Sequence, residues 1–231
     1  MDKTPRRVKE IPAGSAGPAQ GAPVIRKRDA ERTYEDIIKV ATKEFAQHGL
    51  SGGRVDDIAE KTRTTKRMIY YYFGSKEGLY TAVLTKAYAG IRNLEKNLRL
   101  EDAEPEAAIR RLVDFTFDYH EEHTEFVRLV MIENIHRAEY LIKSDAARNQ
   151  NSAAIDALVQ VLRRGFASGI FKRKIDPIDL HMLISAFCFF RSSNRYTFGS
   201  IFQRDFSKPK LRQAHKRLIA DAIIALLKQT E

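Results

Sequence analysis

From Arg26 to the C-terminus the sequence signals helices at close intervals and offers almost nothing to a β-sheet. It has no Asn-Gly hairpin, no sustained apolar–polar alternation and no internal repeat. Tyr34, Ile37, Ile38, Ala41 and Phe45 recur at helical spacing, Thr33 with Asp36 resembles a capping box ahead of them, and His48-Gly49 closes the run. Val55, Ile58, Ala59 and Thr62 mark one face of a second, short helix, and Thr64 or Thr65 can cap a third that buries Ile69 and Phe73. Ser75 opens a long fourth helix with Leu84, Ala87, Ile91, Leu94 and Leu98 on its inner face. Pro105, Thr124, residue 145, Asp176-Pro177 and Pro209 start five more, running to about His123, His136, residue 168, Tyr196 and Lys228. The expected fold class is therefore all-α: about nine helices in a small N-terminal bundle and a larger one behind it.

The stretch Lys61 to Lys76 is chemically distinct within this pattern. It holds five Lys or Arg and three consecutive tyrosines but no carboxylate, in a chain of which 30% is charged. Cations and hydroxylated aromatics without acids suit a polyanion. Joined by a tight turn to the preceding short helix, the segment outlines a DNA-binding helix-turn-helix. A formal charge of +10 and an isoelectric point near 9.7 favour a nucleic-acid partner over an acidic scaffold.

Other features narrow the class. Residues 1–25 are rich in Pro, Gly, Ala and basic side chains and read as a disordered basic tail. No stretch approaches the roughly 18 apolar residues needed to cross a bilayer, and no apolar segment follows the basic N-terminus, so a cytoplasmic protein without a membrane partner is expected. Cys188, alone in the apolar run Ala186 to Phe190, fits a reducing compartment and a core position. There is no Gly-x-Ser-x-Gly elbow, phosphate-binding glycine loop or dinucleotide fingerprint, so neither an enzyme nor a cofactor is expected. His120 and His123 have a His-x-x-His spacing but lack an obvious third ligand, and cations near a helix C-terminus have a plainer use in complementing its dipole. No metal is assigned.

Ile58-Ala59, Thr65 to Phe73 and Ser75-Lys76-Glu77-Gly78-Leu79 together resemble the TetR family of bacterial transcriptional regulators, with Phe45 and Gly49 at that family's usual places. The resemblance is specific over residues 30–80 and rests on helix count and length beyond them. It implies a helix-turn-helix domain over residues 26–76 and a ligand-binding and dimerisation domain over 77–231. By resemblance and chemistry together, Arg67 is the main base reader, able to make a bidentate contact with guanine, and Lys66 has a mixed role. Thr65, Tyr70, Tyr71, Tyr72 and Lys76 match positions that contact phosphates or bases, with Arg54 and the arm Arg26-Lys27-Arg28 as further phosphate contacts. The family usually has small residues, often glycine, where this chain has Arg63 and Arg67. A left-handed backbone in the turn costs a non-glycine residue about 1 kcal/mol, so either the turn is reshaped or Arg63 tolerates it.

In such proteins the last two long helices usually form a four-helix dimer interface, and the first of them borders a ligand cavity. Phe187 and Arg191, one helical turn apart, are expected to hold a planar anionic ligand, with Tyr88, Ile91, Met131 and Asn134 completing the pocket. The resulting expectation is a homodimeric repressor that binds a pseudo-palindromic double-stranded operator. A small-molecule effector, first among them an aromatic or heteroaromatic acid, would release it. Two other classes compete: a helical carrier or enzyme that retains the head without specific DNA binding, and a DNA-coating protein indifferent to sequence.

Overall fold

The computed structural model describes residues 23–230, side chains of residues 23–28 and 145–154 excepted. The expected tail falls outside the described residues except at its last three positions, as do the side chains of the Arg26-Lys27-Arg28 arm. The elements are α1 (Pro23–Gly52), α2 (Val55–Lys61), α3 (Lys66–Phe73), α4 (Lys76–Lys96), a 3-10 turn at Leu100–Asp102, α5 (Pro105–Glu122), α6 (Thr124–Ile135), α7 (Asp145–Ala167), α8 (Pro177–Ser193), α9 (Arg195–Ile201) and α10 (Pro209–Lys228). The all-α class stands, with ten α-helices among the described residues instead of nine.

Two departures have local causes. Thr33 does not cap α1. The helix is already under way, and Thr33 Oγ1 donates to the Asp29 carbonyl one turn back. The helix expected to reach Tyr196 divides at Asn194, φ −104° and ψ 6°, into α8 and α9, amid short polar side chains that bond to carbonyls of α5, of α8 and of Asn194 itself. Ser192 Oγ donates to the His120 carbonyl, Ser193 Oγ to that of Phe190 and Thr197 Oγ1 to that of Asn194.

Three apolar clusters organise the chain. The N-terminal one gathers Ile37, Phe45, Ile58 and Ile69 from α1, α2 and α3, Leu79, Tyr80, Val83 and Leu84 from α4, and Leu129 from α6. The C-terminal one draws on α5, α7, α8 and α10 and encloses Cys188, whose thiol is pushed up to about 12 by burial and by Asp114 and Asp118. Between them, Ile91, Tyr119 and Phe126 form a third. A boundary drawn after Lys76 therefore falls at the first residue of α4, whose opening turns belong to the head's core.

The joint between α3 and α4 is set by backbone contact. Ser75 Oγ accepts from the Gly78 amide at 3.0 Å and starts α4. A Cβ built on Gly78 would lie 2.1 Å from the Phe73 carbonyl oxygen. Gly78→Ala is accordingly expected to lower unfolding stability by about 1–3 kcal/mol, since main chain has to move. An unchanged melting temperature would show that the joint has slack.

Candidate nucleic-acid interface and effector cavity

α3 has one anchor and an exposed cationic face. Ile69 is fully buried in the head, whereas Lys66, Arg67 and Tyr71 are exposed, Tyr71 at 77%. Thr65 begins the helix, its Oγ1 accepting from the Met68 amide at 3.2 Å, which leaves the hydroxyl proton to donate outward. The turn before it is left-handed at Arg63, φ 51°, so the arginine tolerates the conformation that glycine usually supplies.

The remaining contact candidates differ in their ties. Arg67 and Tyr71 are exposed, the Tyr71 ring meeting Tyr72 edge-on at 5.6 Å. Tyr70 is 38% exposed, and half-buried Tyr72 packs edge-on against Tyr34 at 6.1 Å, which gives it a packing role as well. Lys66 Nζ pairs with Asp56 of α2 at 3.1 Å, and Arg54 Nε lies 3.6 Å from Asp57. Lys76 Nζ donates to the Ser51 carbonyl at 3.2 Å, bridging the start of α4 to the end of α1. All eight side chains thus belong to one small head, and α3 carries five of them (Lys66, Arg67, Tyr70, Tyr71 and Tyr72).

Glu44 fixes α2, and therefore α3, to α1. Its side chain is buried and accepts from Lys61 Nζ at 3.0 Å and from the Arg54 amide at 3.3 Å. Burial alone would raise its pKa, but these two donors outweigh burial and hold the carboxyl below its usual value.

Behind the head lies a cavity of about 320 Å³ between α4, α5, α6 and α8. Tyr88, Ile91 and Asn134, expected there from sequence, line it. Met131, Phe187 and Arg191 do not. Met131 is 41% exposed and faces a cleft beside the end of α1. Phe187 and Arg191 border a groove between α8, α9 and α10. Arg191 is buried, pairs with Glu121 and donates to the Phe206 carbonyl at 2.8 Å and to His215 Nδ1 at 3.0 Å, so its charge is committed to the protein. One helical turn places Phe187 and Arg191 together as expected, but on the groove side of α8 and not on the α4–α5–α6–α8 cavity.

Several cavity residues were missed: Arg92, Glu95, His120, Phe126, His181, Ser185 and Phe189. Their signal was available as helical phase, since Tyr88-Arg92-Glu95, Phe126-Val130-Asn134 and His181-Ser185-Phe189 each repeat at one-turn intervals. The two imidazoles of the His-x-x-His pair diverge. His120 faces this cavity, whereas His123 stacks on Tyr119 at 4.0 Å and lines a separate cleft beside α1. Among the described residues no group of three His, Cys, Asp or Glu side chains could hold a metal ion.

α6 touches both regions. Leu129 is buried in the head's core, while Phe126, Val130 and Asn134 face the cavity. Glu133 Oε1 accepts from the Tyr140 and Leu141 amides at 2.7 and 2.8 Å, and burial together with the Glu133 carboxylate pushes the Tyr80 phenol of α4 well up.

A compact helix-turn-helix whose supporting helices line a small-molecule-sized chamber is the construction of a one-component regulator. Residues 37–83 match the family described as bacterial regulatory proteins, tetR family, and residues 105–223 match the tetracyclin repressor-like C-terminal domain. The chain is 36% identical over 205 residues to the HTH-type transcriptional repressor NicS of Pseudomonas putida, covering 89% of this chain and 97% of that one. It is 33% identical to the HTH-type transcriptional repressor SCO4008 of Streptomyces coelicolor, covering 69% of this chain and 78% of that one. The fatty acid degradation regulator FadR of Bacillus halodurans shares the fold, with a TM-score of 0.65 at 17% identity, covering 85% of this chain and 97% of that one. The chain belongs to the tetR family of bacterial regulatory proteins.

A depressed Glu44 pKa contributes stability that is present above the unfolded-state value near ~4.3 and lost as pH falls through the folded value. Melting followed from pH 7 to pH 3 is expected to show wild type ahead of Glu44→Gln at neutral pH, with the lead shrinking in acid. A lead that stays constant with pH would remove the carboxylate from this role.

Proposed function

We propose that the protein is a homodimeric, ligand-responsive repressor whose two α3 helices enter successive major grooves of a pseudo-palindromic operator, about 34 Å apart. A small molecule entering the α4–α5–α6–α8 cavity weakens that binding. The observation that carries the reading is the double use of α6: one face packs in the core that holds α3, and the other lines the cavity. A ligand that favours a different seating of α6 and α4 alters how the heads are presented. Coupling of this kind is reciprocal and typically ~1–3 kcal/mol.

The dimer reading draws on a second surface. Ile178, Met182, Phe187 and Phe190 of α8 and Leu218 of α10 are each at least half exposed. Apolar side chains in such number on two neighbouring helices suit burial against a second copy. No helix among the described residues is long and apolar enough to cross a membrane. Action in the cytoplasm, where an operator is available, accords with the single reduced, buried Cys188.

Within the head, Arg67 reads base edges, Lys66 contributes to both bases and backbone, and Thr65, Tyr70, Tyr71, Tyr72, Lys76 and Arg54 set the register through phosphates. Gel-shift titrations on operator variants check this division. Arg67→Ala is expected to lose discrimination at one base position, by about 1–3 kcal/mol, while Lys76→Ala weakens all duplexes alike. An unchanged base preference in Arg67→Ala would take that residue out of the reading role. Ligand binding with no duplex binding at low salt would instead favour a carrier or enzyme that kept the head.

A further inference from the structure

The cavity's chemistry is lopsided. His120, His181 and Ser185 line it beside Arg92, with Ser185 Oγ 3.4 Å from His181 Nδ1, whereas Glu95 is its one carboxylate among the described lining. Glu95 is paired with Arg92, and both side chains are nearly buried, at 6% and 12% exposure. Their charges cancel, so the described lining is neutral while both imidazoles are unprotonated. His120 is 4% exposed, and its Nδ1 is buried without a hydrogen-bond partner. A buried polar atom left unpaired costs about 1–3 kcal/mol, which a bound group can recover. Tyr88, Phe126 and Phe189 supply flat apolar walls around it, with the His120 ring edge-on to Phe189 at 5.5 Å.

We propose that this cavity takes a small aryl monocarboxylate, its carboxylate received by His120 and His181 beside Arg92 and its ring held by Tyr88, Phe126 and Phe189. The proposal rests on the effector reading given above and supplies its chemical class. A cationic ligand would meet Arg92 and a set of donors. A neutral amide would leave no charge for the imidazoles to balance.

Recognition of this kind carries a proton with it. Burial first, then His181, Arg92 and His123, lowers His120 to about 4, and burial and Arg92 lower His181 to about 4. The titratable or charged groups around the pair are Tyr88, Arg92 and Glu95 from α4 and Tyr119 from α5, with His123 turned away behind Tyr119. α6 presents neutral Asn134, and α8 brings His181 itself. An arriving carboxylate adds the negative charge that Glu95 has already spent on Arg92, and this raises the imidazole pKa. One proton then passes from solvent to His120 or His181 as the ligand binds. With the ligand ionised, affinity falls as pH rises between about 4 and the raised value in the complex. The slope is about tenfold per pH unit for one proton.

The test uses benzoate and its three monohydroxy isomers, each beside the corresponding carboxamide, titrated calorimetrically into the full-length protein. Runs at pH 6.5 in PIPES and in bis-tris separate proton uptake from intrinsic heat. At least one acid is expected to bind over tenfold tighter than its amide, taking up close to one proton and weakening several-fold by pH 7.5. His120→Gln and His181→Gln, checked for folding by melting and for operator binding by gel shift, are each expected to reduce the proton uptake and flatten the pH slope. Amides binding as tightly as acids, acid binding without proton uptake, or no binding by any member of the panel would each overturn the proposal. Gel shifts with promoter and unrelated duplexes run alongside keep the two levels apart. Selective operator binding with a failed panel removes only the ligand class, whereas absence of selective duplex binding removes the regulator reading itself.

Discussion

The structure turns on Tyr80. Its ring is fully buried and meets Phe45 of α1 edge-on at 5.3 Å on one side and Tyr140, in the turn after α6, edge-on at 5.3 Å on another. Such aromatic pairs contribute about 0.5–1.5 kcal/mol each beyond the area they bury. Glu133 of α6 sits against the same phenol and accepts the amides of Tyr140 and Leu141. One side chain of α4 therefore touches the helix that supports the reading head and the segment that follows a wall of the cavity. Head and sensor cannot be described as beads on a string, because α4 and α6 are structural parts of both.

The head was legible because its chemistry and its packing point in opposite directions. On α3 the one fully buried position is Ile69, with Phe73 packed partly against the same core, while cations and tyrosines occupy five of the other positions, so amphipathic spacing and the absence of acids gave the same answer. Capping by Thr65 and Ser75 was legible for a similar reason: their side chains make bonds that only a helix start requires. The start of α1 was hidden, since a threonine that looks like a cap can equally bond one turn back inside a helix that began earlier.

The cavity was only half legible, and α8 is the reason. That helix is apolar on nearly every face, so periodicity could not say which of Phe187, Phe189 and Phe190 faces the chamber. Charged residues were the hardest to place. Arg191 looked available to a ligand but is held by Glu121, a backbone carbonyl and His215, and burial together with Arg212 and Arg195 lowers it to about 10. Arg92 and Glu95, three residues apart on a long helix, carry no sequence mark of burial, yet they stand in the cavity wall. A buried ion pair and an exposed one share the same spelling; only tertiary packing separates them.

In the proposed regulator, duplex binding at α3 and occupancy of the cavity are two loads on one framework. Hydrogen–deuterium exchange with and without operator duplex tests it most directly, since it reads α6 far from any DNA contact. Operator binding is expected to change exchange in residues 124–144 as well as in residues 54–76. Changes confined to residues 54–76, with α6 and its following turn unaltered, would contradict it.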